Sequence, residues 1–135
     1  MDLIKITPDK ERAKSLLKII SLIENRIKKE DKKEMTALII SDYYEIIKEL
    51  ITAILLVDGF KTLNHKDLFE YLEKNYSQFT ANDFSILDSL RVLRNRISYE
   101  GFFVDLSYLT RNEFLFKDII IKLKNILTNS LKWKK

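Results

Sequence analysis

The stretch MTALIISDYYEIIKELITAILLVDG, residues 35–59, decides the fold class. Its apolar residues cover most of the circumference of a predicted helix over residues 35–58, so this helix is expected to be the most deeply buried element. The charged residues that interrupt it are Asp42, Glu45, Lys48 and Glu49. They are too frequent for a transmembrane span. Gly59 suits the left-handed position that closes a helix. The pattern predicts a central helix in an all-α bundle.

Capping residues indicate four further helices around this one. Their starts are marked by Thr7 with Pro8, by Asn64, by Thr80, and by Thr110 with Glu113. Four long helices and one short helix predict an up-and-down four-helix bundle with one additional short helix. No linker or repeat divides the 135 residues, so residues 1–135 are expected to form a single domain.

Composition excludes several classes of function. The chain has 24 basic and 20 acidic residues, and the resulting net charge of +4 is too small to indicate nucleic-acid binding by itself. The absence of cysteine excludes a thiolate metal site, and the single histidine, His65, excludes a multi-histidine one. We therefore expect no metal and no cofactor, and a structural role for His65. The first residues do not form a secretory signal, so we expect a cytoplasmic protein that does not associate with membranes.

The segment LRVLRNRISYEG, residues 90–101, carries the strongest functional signal. It places three arginines within six positions near a helix end, in a chain that otherwise prefers lysine. The planar guanidinium suits phosphate or carboxylate in a way that lysine does not. Arg91, Arg94 and Ser98 share a helical face, so their polar groups can converge. The alternative is that Arg91 and Arg94 cover the flank of the bundle and pair with neighbouring acidic residues.

This segment resembles the signature of the HEPN superfamily, small helical bundles often found beside minimal nucleotidyltransferases. That signature is an arginine, a polar residue that is often asparagine, a few more residues and then a histidine. Arg94-Asn95 matches its first half, and Tyr99 stands where the histidine is expected. The run from Asp42-Tyr43-Tyr44 to Gly59, followed by Lys61, Asn64-His65 and Leu68, also resembles the second helix, turn and third helix of the family. The resemblance covers roughly residues 9–130 of the chain.

For nuclease members of the family, the resemblance implies metal-independent RNA cleavage at a dimer interface. A free tyrosine has a pKa of about 10, so tyrosine is a poor general base at neutral pH, although it can donate a hydrogen bond. The chain is therefore interpreted as a non-catalytic nucleotide- or RNA-binding protein. Arg94 and Asn95 are expected to contact phosphate, with Arg91, Ser98 and Tyr99 around them. Arg94 and Tyr99 are the candidates for any catalytic role, and none is assigned.

The resemblance also suggests a homodimer and a minimal nucleotidyltransferase as partner, in a toxin–antitoxin-like pair. The segment 101–109 reads as an ordered loop whose large apolar groups predict the dimer interface. They are Phe102, Phe103, Val104, Leu106, Tyr108 and Leu109. The segments from Arg94 to Tyr99 would then lie near the two-fold axis.

Two other functions remain open. One is a metal-independent endoribonuclease using Arg94 and Tyr99, and the other is a purely structural dimerisation module whose arginines are salt-bridged. Arginines that face a solvent-filled cleft would favour binding. Arginines tied to Asp or Glu would favour the structural module.

Overall fold

The computed structural model describes residues 1–132, so the last three residues of the predicted domain lie outside it. Its elements are β1 (Ile4–Lys5), α1 (Lys10–Lys29), α2 (Thr36–Asp58), β2 (Phe60–Lys61), α3 (His65–Asn75), α4 (Ala81–Glu100) and α5 (Leu106–Lys132). The two short strands pair antiparallel, with Ile4 opposite Lys61 and Lys5 opposite Phe60. The described chain is predominantly helical, as the sequence predicts.

Helix α2 lies at the centre of the packing. It contacts α1, α3, α4 and α5, and thirteen of its 23 residues are buried. Gly59 closes it in the left-handed conformation with φ of 92°. A Cβ at this position would lie 3.1 Å from the carbonyl oxygen of Ile6, so both the backbone and the space require glycine. The prediction of a central, deeply buried helix is confirmed.

The start of α1 differs from the prediction. The helix begins at Lys10 and is capped by Asp9, whose Oδ1 accepts a hydrogen bond from the Arg12 amide at 3.0 Å. The predicted cap at Thr7 with Pro8 is wrong because the preceding backbone is tied to the end of α2. The Ile6 amide donates to the Gly59 carbonyl, and the Asp9 amide donates to the Leu56 carbonyl, each at 2.9 Å.

The start of α5 also differs. The helix begins at Leu106, so only residues 101–105 of the predicted loop over 101–109 are non-helical. The predicted capping box of Thr110 with Glu113 is wrong, because both residues lie inside the helix. Burial explains the early start: Leu109 is fully buried, and the ring of Tyr108 packs beside that of Phe116. An additional helical turn brings these side chains into the core.

The other two predicted caps are confirmed. Asn64 precedes α3, and its side chain accepts from the Lys66 amide at 2.9 Å. Thr80 and Asp83 form a reciprocal capping box at the start of α4, which ends at Gly101. Within residues 1–132, no helix combines the length and the apolar character needed to cross a membrane.

Candidate functional site

A groove of about 490 Å³ lies between the start of α3 and the second half of α4, and we call it the α3–α4 groove. Its lining residues are Leu63, Asn64, His65, Lys66, Arg91, Arg94, Asn95 and Tyr99. The fold thus brings together four of the five predicted ligand-binding residues, whereas Ser98 is exposed on α4 outside the lining. Three lining side chains are cationic, and none of the described residues that form the groove is Asp or Glu.

Local structure explains how the two walls are held. The Asn64 cap fixes the first turn of α3, which presents His65 and Lys66 to the groove. On the other side, Leu87 and Leu90 are fully buried and anchor the middle of α4 in the core. The polar residues one turn further along α4 then form the opposite wall. Both walls therefore depend on short-range capping and on core packing, not on a flexible loop.

The three arginines of the segment have different partners. Arg91 is paired with Asp88, with Nη2 2.9 Å from Oδ1. Arg96 lies 4.0 Å from a Glu100 carboxylate oxygen, and its guanidinium is 3.8 Å from the centre of the Phe102 ring. Arg91 and Arg96 therefore each have a carboxylate neighbour.

Arg94 differs from the other two arginines because it has no carboxylate partner in the described part of the chain. Its Nη1 donates to Oδ1 of Asn95 at 3.4 Å, and its guanidinium carbon is 5.6 Å from the centre of the Tyr44 ring. A cation above an aromatic face is attracted by the ring quadrupole. Arg94 is therefore held by Tyr44 and Asn95 while its positive charge stays available in the groove.

Tyr44 also positions His65. The Tyr44 hydroxyl lies 2.8 Å from Nδ1 of His65, and Tyr44 is fully buried. Burial raises the pKa of Tyr44 to about 12, against the opposing effect of Arg94 and Arg91. The phenol is therefore protonated at neutral pH, and its O–H finds an acceptor when it donates to His65. This arrangement assigns the proton of the neutral imidazole to Nε2.

The surroundings of His65 favour its neutral form. Burial lowers the pKa of His65, and the positive charges of Lys48, Arg94 and Arg91 lower it further, while Glu45 opposes them. The sequence favours a structural role for His65 and does not place it beside the arginines of α4. A usable signal was present: a tyrosine on a helix predicted to be fully buried needs a hydrogen-bond partner for its hydroxyl.

A second cavity, of about 440 Å³, lies between α1 and α5 over α2, and we call it the α1–α5 cavity. Two carboxylates line it and both are engaged. Glu113 accepts from Tyr43 at 2.6 Å and from Lys32 at 2.7 Å, and Glu24 accepts from Lys124 at 2.6 Å. Four lysines line the same cavity, two of them paired with these carboxylates, so an anion there would meet both signs of charge. No carboxylate lines the α3–α4 groove, which makes that groove the better anion site.

Metal chemistry has no candidate site in residues 1–132, where no three His, Asp or Glu side chains come together closely enough to hold an ion.

The fold and the groove together define a predominantly helical protein with a cationic groove suited to phosphate or carboxylate. No protein-family model, curated protein or solved structure matches the chain. The HEPN resemblance therefore stays a prediction that depends on the residues of the sequence itself.

Proposed function

We propose that the chain is a non-catalytic binding protein that holds a phosphate of a nucleotide or of single-stranded RNA in the α3–α4 groove. The observation that carries the proposal is Arg94, a cation held in place by neutral groups in a groove lined by no carboxylate. The fork of a guanidinium donates two parallel hydrogen bonds to phosphate oxygens. Arg94 is accordingly the main phosphate contact.

The remaining predicted site residues have supporting roles. Arg91 adds positive charge that its ion pair with Asp88 partly offsets, and Asn95 orients Arg94 through its amide oxygen. Tyr99 offers an exposed ring on which a base can stack. The hydroxyl of Ser98 contributes only if the ligand extends beyond the groove along α4.

The family and the partners belong to the same proposal. A HEPN-like up-and-down bundle is supported by the contacts of α2 with the four other helices. A homodimer is supported by Phe103, a large apolar side chain that is 89% exposed in the segment after α4. A minimal nucleotidyltransferase partner, in a toxin–antitoxin-like cytoplasmic pair, depends on the resemblance carried by Arg94-Asn95 and Tyr99.

The proposal is tested by the affinity of wild type and Arg94→Ala for a labelled single-stranded RNA, measured by fluorescence anisotropy. We expect Arg94→Ala to weaken binding by about 1.5–3 kcal/mol, the range for charge-assisted hydrogen bonds. Arg96→Ala is the matched control, because Arg96 lies on the same helix and stacks on Phe102 outside the groove. It should change the affinity by less than about 0.5 kcal/mol.

Thermal unfolding of the same variants separates binding from a structural role. Arg94 lies against the ring of Tyr44, so Arg94→Ala should lower stability by only about 0.5–1 kcal/mol. A clearly lowered melting temperature with unchanged RNA affinity would contradict the proposal. That result would favour the structural dimerisation module, to which the pairing of Arg91 and Arg96 with carboxylates already lends support.

One observation favours a second candidate, metal-independent cleavage of RNA. His65 lies in the same groove as Arg94, and its neutral imidazole is competent as a general base in the other tautomer, in which Nδ1–H donates to the Tyr44 oxygen and Nε2 is free to accept a proton. The assay compares wild type, His65→Gln and Tyr99→Phe on one labelled RNA in the presence of EDTA. Cleavage by wild type would contradict the non-catalytic proposal. Loss of that cleavage in one variant would identify its residue as the general base or acid.

A further inference from the structure

The charges at the α3–α4 groove suit a doubly charged anion. Lys66, Arg91 and Arg94 contribute three positive charges, and Asp88, 2.9 Å from Arg91, offsets one of them. A phosphodiester inside an RNA strand carries one negative charge. A terminal phosphate monoester has a second pKa of about 6 and carries close to two negative charges at neutral pH.

The hydrogen-bond donors of the α3–α4 groove also favour a phosphate monoester over a phosphodiester. The Nδ1 atom of His65 is occupied by the Tyr44 hydroxyl, so the Nε2–H of the same ring is left as a donor. The Lys66 ammonium and the Arg94 guanidinium provide further donors from the two opposite walls. A phosphate monoester presents three terminal oxygens to such a set, whereas a diester presents only two.

Two exposed apolar side chains flank these polar groups. Leu63 is 91% exposed on the α3 side, and Tyr99 is 79% exposed on the α4 side. Exposed aromatic rings are stacking platforms for nucleic-acid bases whatever the base identity. The groove therefore offers cationic donors for a phosphate together with apolar surface for the base of the same nucleotide.

We propose that the α3–α4 groove recognises a terminal phosphate monoester, that of a free nucleotide or of an RNA end, in preference to internal phosphodiesters. This inference rests on the proposed binding function and narrows its ligand. Arg94, Lys66 and the Nε2–H of His65 contact the terminal phosphate, and Tyr99 with Leu63 contacts the base. Because Asp88 offsets the positive charge of Arg91, the remaining two positive charges match a dianion.

The test uses four probes at constant pH: uridine 5′-monophosphate, and a hexauridylate with a 5′-phosphate, with a 3′-phosphate or with neither. Affinities come from titrations followed by NMR at the Hε1 proton of His65, the single histidine of the chain. At least one of the phosphorylated hexamers should bind about tenfold tighter than the unphosphorylated one, the equivalent of one charge-assisted hydrogen bond. Lys66→Ala should remove that preference, and Lys61→Ala, a lysine on β2 outside the groove lining, should keep it.

The outcomes separate this inference from the proposed function. Equal affinity for phosphorylated and unphosphorylated hexamers, with Arg94→Ala still weakening both, would overturn the terminal-phosphate inference and leave the proposed function standing. No binding of any probe would overturn both. If uridine 5′-monophosphate binds as tightly as the better hexamer, the inference holds for free nucleotides. Tighter binding of one phosphorylated hexamer supports it for that RNA end.

Discussion

Tyr44 is the residue on which the geometry of the α3–α4 groove depends. Its hydroxyl lies 2.8 Å from Nδ1 of His65, and the Arg94 guanidinium carbon is 5.6 Å from the centre of its ring. One fully buried side chain thereby positions a neutral imidazole from α3 and a cation from α4. The two potential ligand contacts are consequently held by the same buried side chain.

Replacement of Tyr44 by Phe tests this coupling, because it keeps the ring and removes only the hydroxyl. The O–H of Tyr44 stabilises the neutral form of His65, so Tyr44→Phe should raise the pKa of His65 towards its ordinary value of about 6.5. The measurement is an NMR pH titration of the single histidine. Tyr43→Phe is the matched control, because the Tyr43 hydroxyl donates to Glu113 on the other side of α2.

The same pair makes stability depend on pH with a definite sign. The pKa of His65 is lower in the folded chain than in the unfolded chain, so the unfolded state takes up a proton first as the pH falls. Stability should therefore decrease below a pH of about 6.5. That decrease should be smaller in Tyr44→Phe than in Tyr43→Phe. A His65 pKa that is unchanged by Tyr44→Phe would contradict the assigned hydrogen bond.

The sequence predicted one wall of the groove and missed the other. Helical periodicity predicts that Arg91 and Arg94 share a face, and the HEPN resemblance adds Asn95 and Tyr99. Ser98, predicted on the same face, lies outside the groove lining. Tyr44 and His65 are 21 residues apart, and their contact depends on how α2 and α3 cross. That crossing is set by tertiary packing, which no local pattern encodes.

At the scale of the helices, capping explains which boundaries the sequence could predict. The starts of α3 and α4 follow from Asn64 and Thr80, whose side chains accept hydrogen bonds from amides only two or three residues away. The start of α5 depends on burial in the core, and at α1 a distant backbone contact decides that Asp9 is the local cap and not Thr7. The Asp9 amide donates to Leu56, and Leu109 is buried in the core.

Asp83 at the start of α4 gives the element-scale prediction. Its carboxylate accepts from the Thr80 amide and from Lys122 of α5, each at 2.9 Å. Asp83→Asn should lower the free energy of unfolding at pH 7 by about 1–2 kcal/mol, because a helix cap and a charge-assisted bond are both weakened. Asp118→Asn is the control, since Asp118 is 3.8 Å from the same lysine and more exposed.

Acid should remove the difference in the free energy of unfolding between Asp83→Asn and wild type. Burial raises the pKa of Asp83, but the hydrogen bonds from Lys122 and Thr80 outweigh burial and hold the pKa below its usual value. The carboxylate therefore stabilises the fold at neutral pH, and this contribution is lost as the pH falls through the folded-state pKa. Urea unfolding at several pH values measures both effects. A difference that persists undiminished in acid would contradict this account of the cap.

At the scale of the whole molecule, the proposed dimer centres on the segment between α4 and α5. Phe103 is 89% exposed there, and the side chains of Leu38 and Val92 are also exposed beside the shallow grooves that flank this segment. We expect a wild-type mass of twice 16.1 kDa in sedimentation equilibrium, and the single-chain mass for Phe103→Glu. A charge buried without a partner at an interface is strongly unfavourable.

Phe114→Glu is the matched control for the dimer, because Phe114 is 75% exposed on α5 and lines neither of the grooves beside the segment that carries Phe103. It should keep the dimeric mass. A wild-type chain that sediments as a monomer at micromolar concentration would remove the dimer from the proposal. The phosphate site would remain part of the proposal, since Lys66, Arg91 and Arg94 of a single chain already converge on the α3–α4 groove.

The most direct test of the central claim is to map where a short RNA binds on the isotope-labelled chain. The measurement is a titration of hexauridylate followed by amide chemical shifts in two-dimensional NMR. Binding in the α3–α4 groove predicts that the largest changes fall in residues 63–66 and 91–99. Changes concentrated in residues 24–32 and 113–124, around the α1–α5 cavity, or no changes at all, would contradict it.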